Sequence, residues 1–272
     1  MDWIAAYLEE DRALHDVTSQ AIFSNQVQGA AIMRARDAGC IAGIEAAIQV
    51  FERVDCLAVP LVQDGVWVDA GAELMRIEGP VRGLLVGERL ALNMVGRMSG
   101  IATQVRPLVE RLAKACSGAV IAGTRKTTPG FRAFEKAAIV IAGGAPHRMT
   151  LEDEAMIKDN HREAAGSVAA AVQAVKAAHP ETILTTEIES LEDALAAAEA
   201  GTDWIMIDNQ TPATGQAWAK AVWAAHPNVK IEASGGIGPD DVASYGWADR
   251  ISLGWITHHA VSLDVGLDWE AA

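Results

Sequence analysis

The chain has 272 residues, half of them hydrophobic, with three cysteines and a formal net charge of −14. That length buries the core of one large domain or two ordinary ones, and the acidity disfavours non-specific nucleic-acid binding, which needs a basic footprint. No apolar run reaches about 18 residues without a charge, so neither a membrane span nor a membrane partner is expected. The opening residues MDWIAAYLEEDRALHD carry acids early and lack a basic segment, so no signal peptide is expected. Cys40, Cys56 and Cys116 are far apart and odd in number, which suits a reduced, cytoplasmic setting better than disulfides or a zinc site.

In chain order, Met1 to Leu14 reads as a short amphipathic helix. Ala30 to Gly43 reads as strands with a turn at Asp37-Ala38-Gly39, and Ala46 to Arg53 as a helix. Val62 to Glu78 has turn signals at Asp64-Gly65 and Ala70-Gly71 between short strands. Its DGVWVDAGAELMRIEG stretch is like a biotinyl- or lipoyl-carrier module, but Arg53 to Glu110 has no lysine to modify, so it reads as a structural hairpin. From Arg82 to Ala115 apolar residues recur at helical spacing, as two helices meeting near Ser99-Gly100.

Past residue 117 the unit changes. Six apolar segments each end in polar residues and lead into helical stretches such as Ser167 to Ala178 and Leu191 to Ala200: 119–124, 155–157, 183–189, 204–208, 230–234 and 250–254. Strands alternating with helices imply parallel pairing with right-handed crossovers. A complete barrel has eight strands, so six mean either an incomplete α/β (TIM-like) barrel over 117–259 or further strands that the pattern does not show; an N-terminal α/β sandwich-like domain precedes it over 1–116. The tail, about residues 260–272, is free to pack back on that first domain.

Barrel active sites lie at the carboxyl ends of the strands. Those ends carry Thr124-Arg125-Lys126, Lys158-Asp159-Asn160, Glu187 with Glu189, Asp208-Asn209, Ser234-Gly235-Gly236 and Ser252 with Gly254. Each alone could be a surface charge or a tight turn, but six consecutive polar ends predict a site. SGGIG (234–238) suits a phosphate cradle, since glycines let backbone N–H groups approach phosphate oxygens. Between Ala122 and Leu151, Arg125, Lys126, Arg132, Lys136 and Arg148 face one acid, Glu135, which fits either an anion site or a solvated basic face.

TRKTTPGFR (124–132), GGAPHR (143–148), IKDNH (157–161), IDN (207–209), EASGGI (232–237) and SLGWITH (252–258) together resemble the ordered motifs of the quinolinate phosphoribosyltransferases, the decarboxylating nicotinate-nucleotide pyrophosphorylases. EDRALHDVTS (10–19) and ERLALNMVGRMSGIAT (88–103) extend the resemblance over nearly the whole chain. It implies transfer of phosphoribosyl from phosphoribosyl pyrophosphate to quinolinate, giving nicotinate mononucleotide, pyrophosphate and carbon dioxide for NAD biosynthesis, with Mg²⁺ as cofactor. It also implies a homodimer, with larger assemblies left open, in which Arg89 reaches the neighbouring subunit's site. By the same resemblance Thr124, Arg125, Lys126, His147, Arg148 and Lys158 surround the dicarboxylate and the phosphates. Glu187 and Asp208 lie near the ribose and Mg²⁺, and Ser234, Gly235, Gly236 and Gly254 belong to the phosphate-binding loops. Lys126, Lys158, Glu187 and Asp208 are the expected catalytic set.

Three positions depart from the family pattern: Ala142 where a third glycine is common, Arg162 where a hydrophobic residue follows IKDNH, and Trp255 where a small residue is usual. Rival readings are a nicotinate-type or molybdenum-operon member of the same family, and a barrel aldolase using Lys126 or Lys158 as a Schiff-base nucleophile.

Overall fold

The structure is a computed structural model and describes residues 2–270. The chain forms two compact units. The first comprises the residues up to Arg106, Ala137–Ala142 and the residues from His259 on; the second is Pro107–Lys136 with Gly143–His258. The division falls inside a helix rather than at residue 117, where the composition changes.

The first unit begins with α1 (Trp3–Glu10) and α2 (Val17–Ile22), the latter capped by Asp16, whose carboxylate accepts the N–H groups of Thr18 and Ser19 at 3.0 and 3.2 Å. The expected opening helix thus ends at Glu10, and its Met1 lies outside the described residues. Then come β1 (Gln28–Ala35), β2 (Gly39–Cys40), α3 (Ile44–Arg53), β3 (Leu57–Pro60), β4 (Trp67–Val68), β5 (Glu73–Pro80) and α4 (Val81–Lys114). The main sheet is antiparallel, and its fourth strand, β12 (Val265–Trp269), comes from the end of the chain; the order is β12-β1-β5-β3. Phe51, Met33, Leu74, Met75 and Ile77 are fully buried in its core.

One local expectation fails here. The 64–79 segment is no hairpin: β4 pairs with β2, whereas β5 pairs with β1 and β3. The strands expected on either side of the 37–39 turn are present as β1 and β2, and they belong to different sheets.

The stretch from Arg82 is one 34-residue helix rather than two. Ser99 and Gly100 look like a break but are contact residues. The Ser99 hydroxyl accepts the N–H of Ala42 at 2.9 Å and donates to its carbonyl at 3.1 Å. A Cβ on Gly100 would stand 2.0 Å from the carbonyl oxygen of Val261, so only glycine admits that backbone.

The second unit contains β6 (Val120–Ala122), β7 (Ala155–Ile157), α6 (Asp159–Ala165), α7 (Val168–Ala178), β8 (Leu184–Ile188), α8 (Leu191–Glu199), β9 (Trp204–Asp208), α9 (Pro212–Ala225), β10 (Lys230–Ser234), β11 (Arg250–Ser252) and α10 (Trp255–His258); α5 (Arg132–Ile141) follows β6 and runs across the division. Every strand pair is parallel, in the order β6-β11-β10-β9-β8-β7. The six expected strands are all present, and their order is that of a barrel opened between β6 and β7. Serine and threonine start the helices: Ser167, Ser190 and Thr211 accept the N–H groups of Ala170, Asp193 and Thr214 at 3.1, 3.1 and 3.2 Å.

Strand alternation then sorts the side chains. Ile188, Ile205, Ile207 and Ile231 pack on Ala194, Ala198, Ala219 and Val222 of the helices. The intervening residues, among them Glu187, Asp208, Glu232 and Ser234, face the other side of the sheet.

Candidate active site

Past β6, the Thr124 hydroxyl accepts the N–H of Lys126 at 3.0 Å, and Thr257 donates to the Lys126 carbonyl at 2.7 Å. The Lys126 side chain lies along Gly254: a Cβ there would meet its Cδ at 2.8 Å. The ends of β6 and β11 therefore meet.

The first turn of α5 ties down this loop and the next. Glu135, fully buried, accepts from Thr128 N and Oγ1 at 3.1 and 2.9 Å. Arg132 donates to Thr127 Oγ1 at 2.9 Å and to the Met149 carbonyl at 2.8 Å. Lys136 is only 1% exposed, and its ammonium donates to the carbonyls of His147, at 3.3 Å, and of Arg148. Burial, reinforced by the charges of Arg132, Arg125 and Arg148 and opposed by Asp153, pushes the Lys136 pKa down to about 8. None of these three residues stood out as more than part of a basic stretch.

Arg148 donates to the Glu154 carbonyl at 2.8 Å. Burial and then the nearby charge of Arg125 lower its proton affinity, with Glu154 and Glu232 opposing. Two guanidinium groups and a buried ammonium thus converge, which is unfavourable unless an anion joins them. His147 sits differently: its side chain is 4% exposed and turned toward Glu232.

Across the barrel, the Lys158 ammonium pairs with Glu187. Burial raises the Asp208 pKa, the charge of Glu187 adds to it, and a Ser234 hydrogen bond and Lys158 oppose. Asn209, Gly235 and Gly236 all have positive φ, of 53°, 81° and 63°. A Cβ on Gly235 would lie 2.3 Å from Asn209 Oδ1, so the β9 and β10 ends can touch only through glycine. Trp255 donates its indole N–H to the Ile237 carbonyl at 2.9 Å, fastening the far side of that glycine loop.

The other two departures also have physical readings. Arg162 pairs with Asp193 at 3.1 Å, joining α6 to α8. Ala142 is fully buried just past α5, and the positive φ of that segment falls on Gly143, at 94°, so Ala142 needs no glycine freedom. Of the expected site residues, Thr124, Arg125, Lys126, Arg148, Lys158, Glu187, Asp208, Ser234, Gly235, Gly236 and Gly254 all follow or end barrel strands or lie in the loops between them. Arg89 is exposed on α4, in the first unit.

Among the described residues, no helix is long and apolar enough to cross a membrane. An open parallel barrel that gathers cations, carboxylates and a glycine loop at its strand ends is a barrel protein built for anionic ligands.

Comparisons narrow that class. Residues 16–99 match the quinolinate phosphoribosyl transferase N-terminal domain, and residues 101–268 its C-terminal domain. The probable nicotinate-nucleotide pyrophosphorylase [carboxylating] of Methanothermobacter thermautotrophicus is 36% identical over 98% of each chain. The human nicotinate-nucleotide pyrophosphorylase [carboxylating] is 38% identical over 91% of this chain and 84% of its own. The crystal structure of NadC from Streptococcus pyogenes superposes with a TM-score of 0.91, at 35% identity, over 99% of this chain and 96% of that one. The chain belongs to the quinolinate phosphoribosyltransferase family.

Proposed function

We propose that this protein transfers phosphoribosyl from phosphoribosyl pyrophosphate to quinolinate with loss of carbon dioxide, forming nicotinate mononucleotide and pyrophosphate in NAD biosynthesis. The observation that carries the reading is the convergence of Arg125, Arg148 and the buried Lys136 in a chain of net charge −14. A pyridine-2,3-dicarboxylate brings two carboxylates, and such a cluster offsets the cost of desolvating both. Arg125 and Arg148 hold the carboxylates, with Lys126 and Lys158 adding point charge. Ser234, Gly235, Gly236 and Gly254 receive phosphate, and Thr124 orders the Lys126 backbone beside it.

The pyridine nitrogen attacks the anomeric carbon, the bond to pyrophosphate breaks, and Glu187 and Asp208 favour the positive charge that develops on the ribosyl group. The positive pyridinium nitrogen so formed stabilises the carbanion left on the adjacent ring carbon when its carboxylate departs as carbon dioxide, and that carbon then takes a proton from water to give nicotinate mononucleotide. Glu187 and Asp208 also suit Mg²⁺. The charge of Glu187 raises the cost of ionising Asp208, which a cation would relieve, so these two carboxylates would hold that ion. Bound there, Mg²⁺ would supply charge neutralisation of the leaving pyrophosphate.

The exposed Arg89 is assigned to the partner subunit's site in a two-fold dimer. Mixing inactive Arg89→Ala and Lys158→Ala proteins then restores activity, up to about a quarter of the parent level with free exchange. No recovery despite demonstrated exchange removes Arg89 from the shared site.

The deciding assay supplies phosphoribosyl pyrophosphate, Mg²⁺ and either quinolinate or nicotinate, and follows carbon dioxide and mononucleotide. Quinolinate is expected to exceed nicotinate in kcat/KM by roughly 100-fold or more, because a site built for two carboxylates leaves cations unpaired with one. Comparable values overturn the assignment.

A further inference from the structure

Two loops carry the cations of the site, one with Arg125 and Lys126 after β6 and one with His147 and Arg148 before β7. At their bases the backbone joins them: Gly123 donates its N–H to the Ala145 carbonyl at 3.0 Å, and Ala145 donates to the Ile121 carbonyl at 2.7 Å. Farther out each loop is tied to a carboxylate. Glu135 accepts from Thr128, and Asp153 accepts the N–H groups of Met149 and Thr150 at 2.8 and 2.9 Å. Arg132, at the start of α5, reaches both loops: its Nε donates to Thr127 Oγ1 and a terminal nitrogen to the Met149 carbonyl, at 2.9 and 2.8 Å.

The bridge opposes a repulsion. Arg125 and Arg148 carry like charge, and the charge of Arg125 is second only to burial in lowering the proton affinity of Arg148. Loops free to move would let those two groups part. Both acceptors of Arg132 are neutral, so the bridge neutralises none of the positive charge that a bound anion needs. Thr127 follows Arg125 by two residues and Met149 follows Arg148 by one, so the bridge grips each loop beside its guanidinium carrier. An acid with two adjacent carboxylates must meet both guanidinium groups at once, and their separation decides whether it can.

We propose that Arg132 is a positioning residue that sets the span between Arg125 and Arg148, and with it the fit of a ligand bearing two adjacent carboxylates. This rests on the reading of Arg125 and Arg148 as carboxylate ligands, so the test has two arms. The first needs no ligand. Amide exchange by NMR is compared in the parent, Arg132→Met and Thr127→Val, the last cutting the bridge from its other end while leaving the Arg132 charge in place. Exchange is expected to quicken together at Lys126 and Thr128 and at Arg148–Thr150, with Asn209 and Gly235 unchanged. Quickening in one loop alone, in neither, or throughout the chain overturns the proposal.

The second arm measures quinolinate binding by calorimetry. Arg132→Met is expected to weaken it about 10-fold and Thr127→Val about 5-fold. In an Arg148→Ala background Arg132→Met should add nothing, because a single guanidinium has no span to keep. In a Lys158→Ala background, on another loop, the losses should multiply. A loss that multiplies with Arg148→Ala makes Arg132 a ligand in its own right, and a loss in Arg132→Met without one in Thr127→Val assigns the effect to charge. Either result overturns the proposal, as does a loss that fails to multiply with Lys158→Ala or unchanged binding in Arg132→Met. A parent protein that binds no quinolinate overturns the functional reading instead, and the exchange arm then decides whether Arg132 couples the two loops.

Discussion

Replacing Lys136 by methionine keeps a side chain of similar length and removes its charge. The ammonium is buried, and its pKa of about 8 lies below the ordinary lysine value of 10.5. Between those values the unfolded chain binds the proton that the folded chain has released, so stability rises with pH across that window. Below about pH 8 the folded protein carries the full cost of the buried charge, about 3 kcal/mol at 1.36 kcal/mol per pH unit. Above 10.5 the cost is gone. From about pH 7.5 to about pH 9.5 the parent gains about 2 kcal/mol from this group, and Lys136→Met gains nothing from it. The variant also loses two hydrogen bonds to carbonyls, a loss of about 1–3 kcal/mol at any pH. Guanidinium denaturation of both proteins at several pH values measures parent stability minus variant stability, which is expected to start at or below zero at about pH 7.5 and to rise by about 2 kcal/mol by about pH 9.5. A difference that stays constant or falls with pH refutes the argument that burial governs this lysine.

Arg250→Met leaves the Glu232 carboxylate buried without its main counter-charge and is expected to cost about 3–5 kcal/mol in urea or guanidinium denaturation. Burial alone would raise the Glu232 pKa, but the His147 hydrogen bond and the Arg250 charge hold it below its ordinary 4.5. That stabilisation is therefore present above 4.5 and is lost as pH falls through the lower folded value, so the gap between parent and variant should shrink in acid. Gly100→Ala drives a methyl group against the Val261 carbonyl and should lower stability by roughly 1–3 kcal/mol; an unchanged melting temperature refutes the close approach. Trp255→Phe removes the hydrogen bond to Ile237 and should cost about 0.5–1.5 kcal/mol. Amide exchange over Gly235–Gly238 should quicken with it, and unaltered exchange there shows that the indole does not fasten the loop.

The barrel was legible in the sequence because period-two patterning exposes itself: Ile205 and Ile207 alternate with Met206 and Asp208, and the polar residue stands at the strand's end. The first unit was less legible, because its sheets join segments distant in the chain. Nothing local in Trp67-Val68 says that it pairs with Gly39-Cys40. Ser99 and Gly100 look like helix breakers by composition and are in fact points of close packing, a distinction that only the apposed backbone reveals. At the site, residues that end strands were readable, whereas Glu135 and Lys136 were not. At helical spacing beside Arg132 they resemble a solvated face, and only the folded loops explain their burial. The Glu154–Arg250–Glu232 contacts were hidden likewise, since charges inside short apolar strands carry no signal of their partners.

The pairing of β12 with β1 bears on how the protein is made. Every residue through β12 must leave the ribosome before β1 acquires that neighbour, whereas every strand of the barrel has by then been synthesised. During translation the nascent first sheet therefore displays an open edge for most of the elongation time, and such an edge recruits other extended chains. The barrel strands can pair with one another while the first sheet still waits for its last strand. Conditions that slow or stall synthesis just before β12 is made thus expose this protein to aggregation through its first unit and not through its barrel.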